Sequence, residues 1–325
     1  MEKIKYGLLG TANIARRQTI GGMNCVSNSE FYAVAGRNPQ KVDEFVKDFG
    51  FAKGYYSYDE LLDDPEIQVV YVALPNSLHC EWAIKAMKKG KHVLCEKPMG
   101  CTLAEVKEMY KTAKECGVLL MEAFAYLHNN VVASFKEVIN SGKIGKPVLL
   151  ESTFITPKAP DTNVRRHRTL MGGSIYDLGC YPTSLALYLF DEMPTEAKCS
   201  AHFTEKNIDD LNGILLHYED GKNAIITVGM CSARVTTRIN IYCEKGAIYY
   251  SGNFNSVGDV EYILDGENGK EIVKLEVPNN YGLEIERFTN AITKGESMLV
   301  DEKFTMQNAE ILDMLLDDCG YNQLG

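Results

Sequence analysis

Short apolar runs separated by segments of helical period recur through the first 122 residues. Ile4 to Leu9 is apolar and breaks into Gly10-Thr11-Ala12-Asn13-Ile14-Ala15, which predicts a strand, a tight turn and a helix. Phe31 to Ala35 is a second run, ended by Gly36-Arg37-Asn38-Pro39. Asn38 is placed to cap the next helix, Pro39 to begin it and Gly50 to close it. Val69 to Leu74 reads as a buried strand, followed by Pro75-Asn76-Ser77 and a helix to Lys89 before Gly90. His92 to Cys95 is the next strand, Glu96-Lys97-Pro98 a loop, and Thr102-Leu103-Ala104-Glu105 a capping box opening a helix that stops at Gly117. Val118 to Met121 gives one more strand. This alternation predicts a doubly wound parallel sheet with helices on both faces and its ligand across the carboxyl ends of the strands. Leu74, Pro75, Asn76, Glu96 and Lys97 fall on those ends.

After residue 123 the rhythm changes. A helix near Asn130 to Asn140 leads into strands at Val148 to Ile155, Glu196 to Thr204, Asn212 to Tyr218, Asn223 to Cys231, Arg238 to Cys243 and Tyr262 to Leu264. Many alternate apolar and polar residues, which predicts an α+β part with an open, mostly antiparallel sheet covered on one face. Helical stretches at Tyr281 to Thr293 and Glu302 to Leu316 finish the chain. The expected domains are 1–122, binding a nucleotide, and 123–325, binding substrate and mediating association, with the helix at about 302–316 free to pack back on the first.

Composition bounds the partners. A chain of 325 residues, 45% hydrophobic and 24% charged, has enough apolar material for two cores. A formal charge of −10 gives no basic field for nucleic acid or an anionic membrane. No 18-residue apolar stretch occurs, and the first strand begins within a few residues of Met1, so the expected location is the cytoplasm. The ten cysteines form no CxxC pair and the six histidines have no metal spacing; reduced thiols and no metal are expected.

The first turn carries the candidate chemistry. Gly10, Ala12 and Ala15 stand where the dinucleotide fingerprint has Gly, Gly and Gly or Ala, so Gly10, Thr11, Ala12, Asn13 and Ile14 are expected to hold a pyrophosphate at the helix N-terminus. A methyl at position 12 departs from that pattern. Where an NAD site carries Asp or Glu at the end of the second strand, this chain has Arg37, whose guanidinium suits a 2′-phosphate and favours NADP over NAD.

In order, GLLGTANIA, AGRNPQK, ALPNSLH, EKP and GGSIYDLGCY resemble the Gfo/Idh/MocA oxidoreductases over residues 4 to 190. The nearest likeness is to the subgroup of dimeric dihydrodiol dehydrogenase, xylose dehydrogenase and anhydrofructose reductase, in which a tyrosine ends the DxGxY motif. The resemblance implies a Rossmann domain followed by an open-sheet domain that packs against another subunit, hence a homodimer or higher homo-oligomer. It places His79 near the nicotinamide or its ribose and Arg165 near the substrate entrance. In the inositol-dehydrogenase branch the residue matching Tyr181 is histidine, so that substrate does not simply transfer.

Lys97, Asp177 and Tyr181 are the expected catalytic residues. Reducing a carbonyl leaves negative charge on oxygen, and Tyr181 is placed to supply the proton. A tyrosine pKa of about 10 is too high for a ready base. An ammonium at about 4 Å, with an effective dielectric near 20, favours the phenolate by about 4 kcal/mol, the effect assigned to Lys97. Asp177 lies four residues before Tyr181, on one face of a helix from Ile175 to Phe190, to orient Lys97 or bind a substrate hydroxyl. Tyr126 is expected to face the cleft, and Arg165 and His167, in the run Arg165-Arg166-His167-Arg168, to line it. The expected activity is NADP-dependent hydride transfer to or from a sugar, polyol or dihydrodiol. A non-catalytic NADP-binding regulator and an NAD-dependent glycosidase of the same fold are the alternatives the residues leave open.

Overall fold

The computed structural model describes residues 3–324 and divides into two compact units. The chain up to His128 together with Pro278–Thr305 forms the first; Asn129–Val277 with the residues from Met306 onward forms the second.

In the first unit six parallel strands make one sheet: β1 (Ile4–Leu9), β2 (Ser29–Ala35), β3 (Lys53–Tyr55), β4 (Val69–Val72), β5 (His92–Glu96) and β6 (Leu120–Ala123). Their order is β3-β2-β1-β4-β5-β6, so the winding reverses between β1 and β4. The middle strands are apolar because both faces are covered: Leu8, Leu9, Val69, Val70, Val72, Val93 and Leu94 are fully buried. The helices are α1 (Ile20–Met23), entered through a π-helical turn at Ala15–Thr19, then α2 (Pro39–Phe49), α3 (Tyr58–Asp63), α4 (His79–Lys88) and α5 (Leu103–Cys116). Their ends follow the sequence signals. Asn38 Oδ1 accepts the Lys41 N–H at 3.2 Å, Thr102 Oγ1 accepts the Glu105 N–H at 3.2 Å, and Gly50 and Gly117 close α2 and α5 in the left-handed region.

The second unit begins with α6 (Asn130–Asn140) and contains α7 (Cys180–Phe190). The last helices are α8 (Asn280–Lys294), which belongs to the first unit, and α9 (Glu302–Asp318). Through α8 the first unit gains a buried polar link, Tyr6 Oη to Thr289 Oγ1 at 2.7 Å, with Ser29 Oγ 2.8 Å from the same hydroxyl.

The second sheet has eight strands: β7 (Pro147–Pro157), β8 (Glu196–Phe203), β9 (Asp209–His217), β10 (Asn223–Ser232), β11 (Thr236–Cys243), β12 (Gly246–Tyr250), β13 (Gly258–Gly266) and β14 (Gly269–Val277). They run in the order β14-β13-β12-β11-β7-β10-β9-β8, antiparallel except for β7 with β10. From Asp210 to the end of β9 buried and exposed residues alternate. The segment Ile175–Phe190 covers one face through β7 and β10, and the other face exposes Leu211, Leu215, Ile225, Ile263 and Ile272. β3, β12 and β14 escape the periodicity reading. β3 has three residues, and β14 is an edge strand whose Lys-Glu-Ile-Val-Lys-Leu-Glu is mostly exposed.

Candidate active site

Gly10 ends β1 with φ +100°, and its N–H donates to the Ala35 carbonyl at 2.9 Å. A Cβ there would collide with the Ala73 carbonyl oxygen beyond β4, so only glycine lets the chain turn at the point where the strand order reverses. Thr11, Ala12, Asn13 and Ile14 follow without deep burial. The first N–H taken up inside the helix is that of Arg16, which donates to the Ala12 carbonyl at 3.2 Å; the N–H groups before it head the helix, where an anion is favoured. Arg37 is exposed just past β2. Burial raises the pKa of the Tyr58 phenol, and the Arg37 charge opposes that shift.

At the carboxyl ends of β4 and β5, three buried ionisable side chains hold the backbone. One is His79, expected near the nicotinamide or its ribose. The ring is buried, with Nδ1 2.8 Å from the Pro98 carbonyl and Nε2 2.8 Å from the Leu74 carbonyl; the neutral ring donates to one of these two and the protonated ring to both. Burial lowers its pKa, and two carbonyl partners oppose this. Glu96 accepts the Tyr71 hydroxyl on one oxygen and the Lys97 N–H, at 3.3 Å, on the other. Its carboxylate is committed to the interior of the first unit. Glu122 Oε1 accepts the Met99 N–H at 2.8 Å, and burial pushes this carboxyl up to about 7 despite the Lys97 charge. Lys97, just past β5, is part-exposed, and so are Pro75 and Asn76 after β4. Tyr126, expected in a cleft, is fully buried, its ring edge-on to Phe124 at 6.0 Å. The apolar segment around it leaves no reason for a tyrosine ring to face water.

Asp177 and Tyr181 lie in the second unit. The helix from Ile175 begins as a π-helical turn, Ile175–Gly179, so the 3.6-residue spacing assumed for the pair applies only from Cys180 onward. Asp177 Oδ2 meets Arg165 Nε at 2.6 Å. The Tyr181 ring packs in a three-ring cluster with Phe154, edge-on at 5.4 Å, and Phe254 at 5.3 Å.

The basic run is divided rather than acting as one patch. Arg165 pairs with Asp177, Arg166 is buried and reaches Asp161 at 3.5 Å, and His167 is exposed between two short 3-10 turns. Arg168 stacks on the Tyr321 ring at 3.4 Å and donates Nη2 to the Tyr321 and Leu324 carbonyls. Two residues that sequence reasoning passed over support the GGSIYDLGCY segment. The Tyr321 hydroxyl donates to the Gly172 carbonyl at 2.6 Å, and Asp209 accepts hydrogen bonds from Ser174 and Ile175. Neither sits in a motif of its own. Among the described residues no cluster of His, Cys, Asp or Glu suits a metal, and no helix is long and apolar enough to cross a membrane.

A parallel sheet in this order, with a glycine turn at its switch point and an arginine after the second strand, is that of a dinucleotide-dependent oxidoreductase. The chain belongs to the Gfo/Idh/MocA family: residues 4–124 match its model described as an oxidoreductase family with an NAD-binding Rossmann fold, and residues 132–249 match a C-terminal domain of the same family. The chain is 30% identical over 276 residues to dTDP-3,4-didehydro-2,6-dideoxy-alpha-D-glucose 3-reductase of Saccharopolyspora spinosa, covering 85% of this chain and 82% of that one. It is 28% identical to D-xylose 1-dehydrogenase (NADP(+)) 2 of Haloferax volcanii over 96% of each. The crystal structure of a 3-ketoreductase from Actinomadura kijaniata, in complex with NADP and TDP-benzene, superposes with a TM-score of 0.92 at 25% identity over 98% of both chains.

Proposed function

We propose that this oxidoreductase is NADP-dependent and transfers hydride between the nicotinamide and a hydroxyl or carbonyl carbon of a sugar, polyol or dihydrodiol. The observation that carries the reading is Lys97. It is a part-exposed cation just past β5, on a loop whose backbone is held by three buried groups from the surrounding elements, Glu96 at the end of β5, Glu122 on β6 and His79 at the start of α4. Three relatives support the substrate class and the cofactor, being a keto-sugar reductase, an NADP-dependent xylose dehydrogenase and a 3-ketoreductase with NADP bound.

In this reading residues 1–122 hold the cofactor and residues 123–325 hold the substrate and a second copy of the chain. Gly10 to Ile14 cradle the pyrophosphate, and Arg37 takes the 2′-phosphate. Leu74, Pro75 and Asn76 border the nicotinamide half, and His79 keeps their loop in register with Pro98 rather than touching the cofactor. Bound NADPH supplies the hydride. Tyr181 delivers the proton to the developing alkoxide, in a surrounding made water-poor by Phe154 and Phe254. Lys97 lowers the cost of the resulting phenolate, and in the oxidative direction the same pair acts as base. Asp177 fixes the Arg165 guanidinium, which with His167 meets the hydroxyl-bearing end of the substrate.

The cofactor assignment is tested by titrating wild type and Arg37→Ala with NADPH and NADH, followed by nucleotide fluorescence. NADPH is expected to bind tighter, and the mutation to weaken NADPH by about 10- to 100-fold while leaving NADH little changed, the worth of one charge-assisted phosphate contact. Equal affinities in wild type contradict the assignment; no binding of either contradicts the cofactor reading altogether.

A further inference from the structure

We infer that Asp209, at the start of β9, is the residue that positions the Asp177–Tyr181 segment, acting as a helix cap delivered from a neighbouring strand. This deepens the reading above and rests on it for its catalytic consequence.

The segment Ile175–Phe190 has an unusual beginning. Ser174 stands at its N-cap but makes no capping bond to the helix, and its own backbone is already in the right-handed helical region. Its hydroxyl is spent elsewhere, donating to Asp209 Oδ2 at 3.0 Å and accepting Asn212 Nδ2 at 2.7 Å. The orphan N–H of Ile175, the first residue of the π-helical turn, donates to the same Asp209 Oδ2 at 2.8 Å, and Asn212 Nδ2 reaches it at 2.8 Å. One carboxylate oxygen thus gathers three donors, two of them from the start of the segment that carries Asp177 and Tyr181.

The other oxygen faces Gly173. A Cβ on that residue would overlap Asp209 Oδ1, and its φ of +126° is open only to glycine. Both halves of the carboxylate therefore fix the Gly173–Ile175 turn, one by bonding and one by shape. Asp209 is fully buried, among the described residues no cation pairs with it, and Oδ1 has no hydrogen-bond partner. The other titratable groups it acts on are thiols, Cys199 on β8 and Cys319 after α9. Burial pushes the carboxyl up to about 6. A buried acid without a counter-ion is costly, and a purely apolar filler would pack the site more cheaply. What the acid adds is direction: it sets where the helix starts and so the register of Asp177 and Tyr181 along it.

The test compares Asp209→Ala and Asp209→Asn with wild type by amide hydrogen exchange, NADPH titration and steady-state reduction of a keto-sugar panel. Asp209→Ala is expected to lose protection in 173–181 while the rest of the chain keeps it, with kcat down about a hundredfold and NADPH affinity unchanged. Asp209→Asn, which keeps an acceptor for the Ile175 N–H, is expected to recover most of both losses. Unchanged protection in Asp209→Ala overturns the inference, as does lost protection with unchanged kcat. A wild type that reduces nothing on the panel removes the functional reading, and the exchange result then decides the capping role alone. Should Asp209→Ala fail to fold, Ser174→Ala decides, since it deletes one of the three donors: loosening confined to 173–181 supports the inference and no loosening overturns it.

Discussion

Glu122 and His128 pull the stability of the first unit in opposite directions as pH changes. Glu122, raised from 4.5 to about 7 by burial, binds its proton more tightly folded than unfolded. Its contribution is fully present below pH 4.5 and is lost as pH rises through 7, about 3 kcal/mol in all. His128, lowered from 6.5 to about 3 by burial and by the Arg287 charge, behaves the other way. Its contribution is present above pH 6.5 and is lost as pH falls toward 3, about 5 kcal/mol if the whole range were reached. Among the described residues neither His128 ring nitrogen has a hydrogen-bond partner. Urea unfolding should therefore show Glu122→Gln stabilised by about 1–3 kcal/mol at pH 8 and not at pH 4.5, and His128→Phe increasingly stabilised relative to wild type as pH falls below 6.5. The reverse pH dependence in either variant would contradict the assignment. Residues of this kind were illegible in the sequence. Gly10 and Arg37 announce themselves by their place after an apolar run, whereas His79 owes its clamp to a carbonyl 19 residues ahead and one 5 residues behind, and Tyr126 its burial to contacts with no local signature.

Elements whose ends are fixed by local chemistry were readable from the chain. Asn38 with Pro39, Thr102 with Glu105 and the glycines at 50 and 117 act within a turn of themselves, so α2 and α5 begin and end where expected. The support of the GGSIYDLGCY segment is long-range: Tyr321 reaches Gly172 across 149 positions and Asp209 reaches Ile175 across 34. Arg168 shows the consequence, because a basic run that reads as one patch splits once its members find separate partners. Arg168→Ala removes two hydrogen bonds to carbonyls and a cation–π stack on Tyr321. It should cost about 2–3 kcal/mol of stability and increase proteolysis after Cys319. A variant with wild-type unfolding and cleavage would show that the stack does not hold this segment.

For the molecule as a whole, the open face of the second sheet is the surface proposed for self-association. Leu215 and Ile225 are register partners on β9 and β10 and are 40% and 48% exposed, with Leu211, Ile263 and Ile272 on the same kind of outward position. An apolar sheet face of this composition is suited to a second copy of the chain, and a homodimer or higher homo-oligomer is the expected mass in solution. Leu215→Lys with Ile225→Glu should shift that mass to the monomer without unfolding it; a monomeric wild type would contradict the proposal. The two-part plan was legible because periodicity switches from alternating strands and helices to alternating residues. The return of α8 to the first unit was not, since nothing in a helical period says which sheet it covers.

The proton-transfer role of Tyr181 is tested by NADPH oxidation against a panel of keto-sugars and aldoses by wild type and Tyr181→Phe, with NADPH binding verified for both. Turnover is expected in wild type, with a fall in kcat of about 100- to 10,000-fold in Tyr181→Phe from loss of a general acid and unchanged NADPH affinity. An unchanged kcat in Tyr181→Phe would contradict the assigned proton transfer, and NADPH binding without turnover on any carbonyl would contradict the enzyme's proposed substrate class.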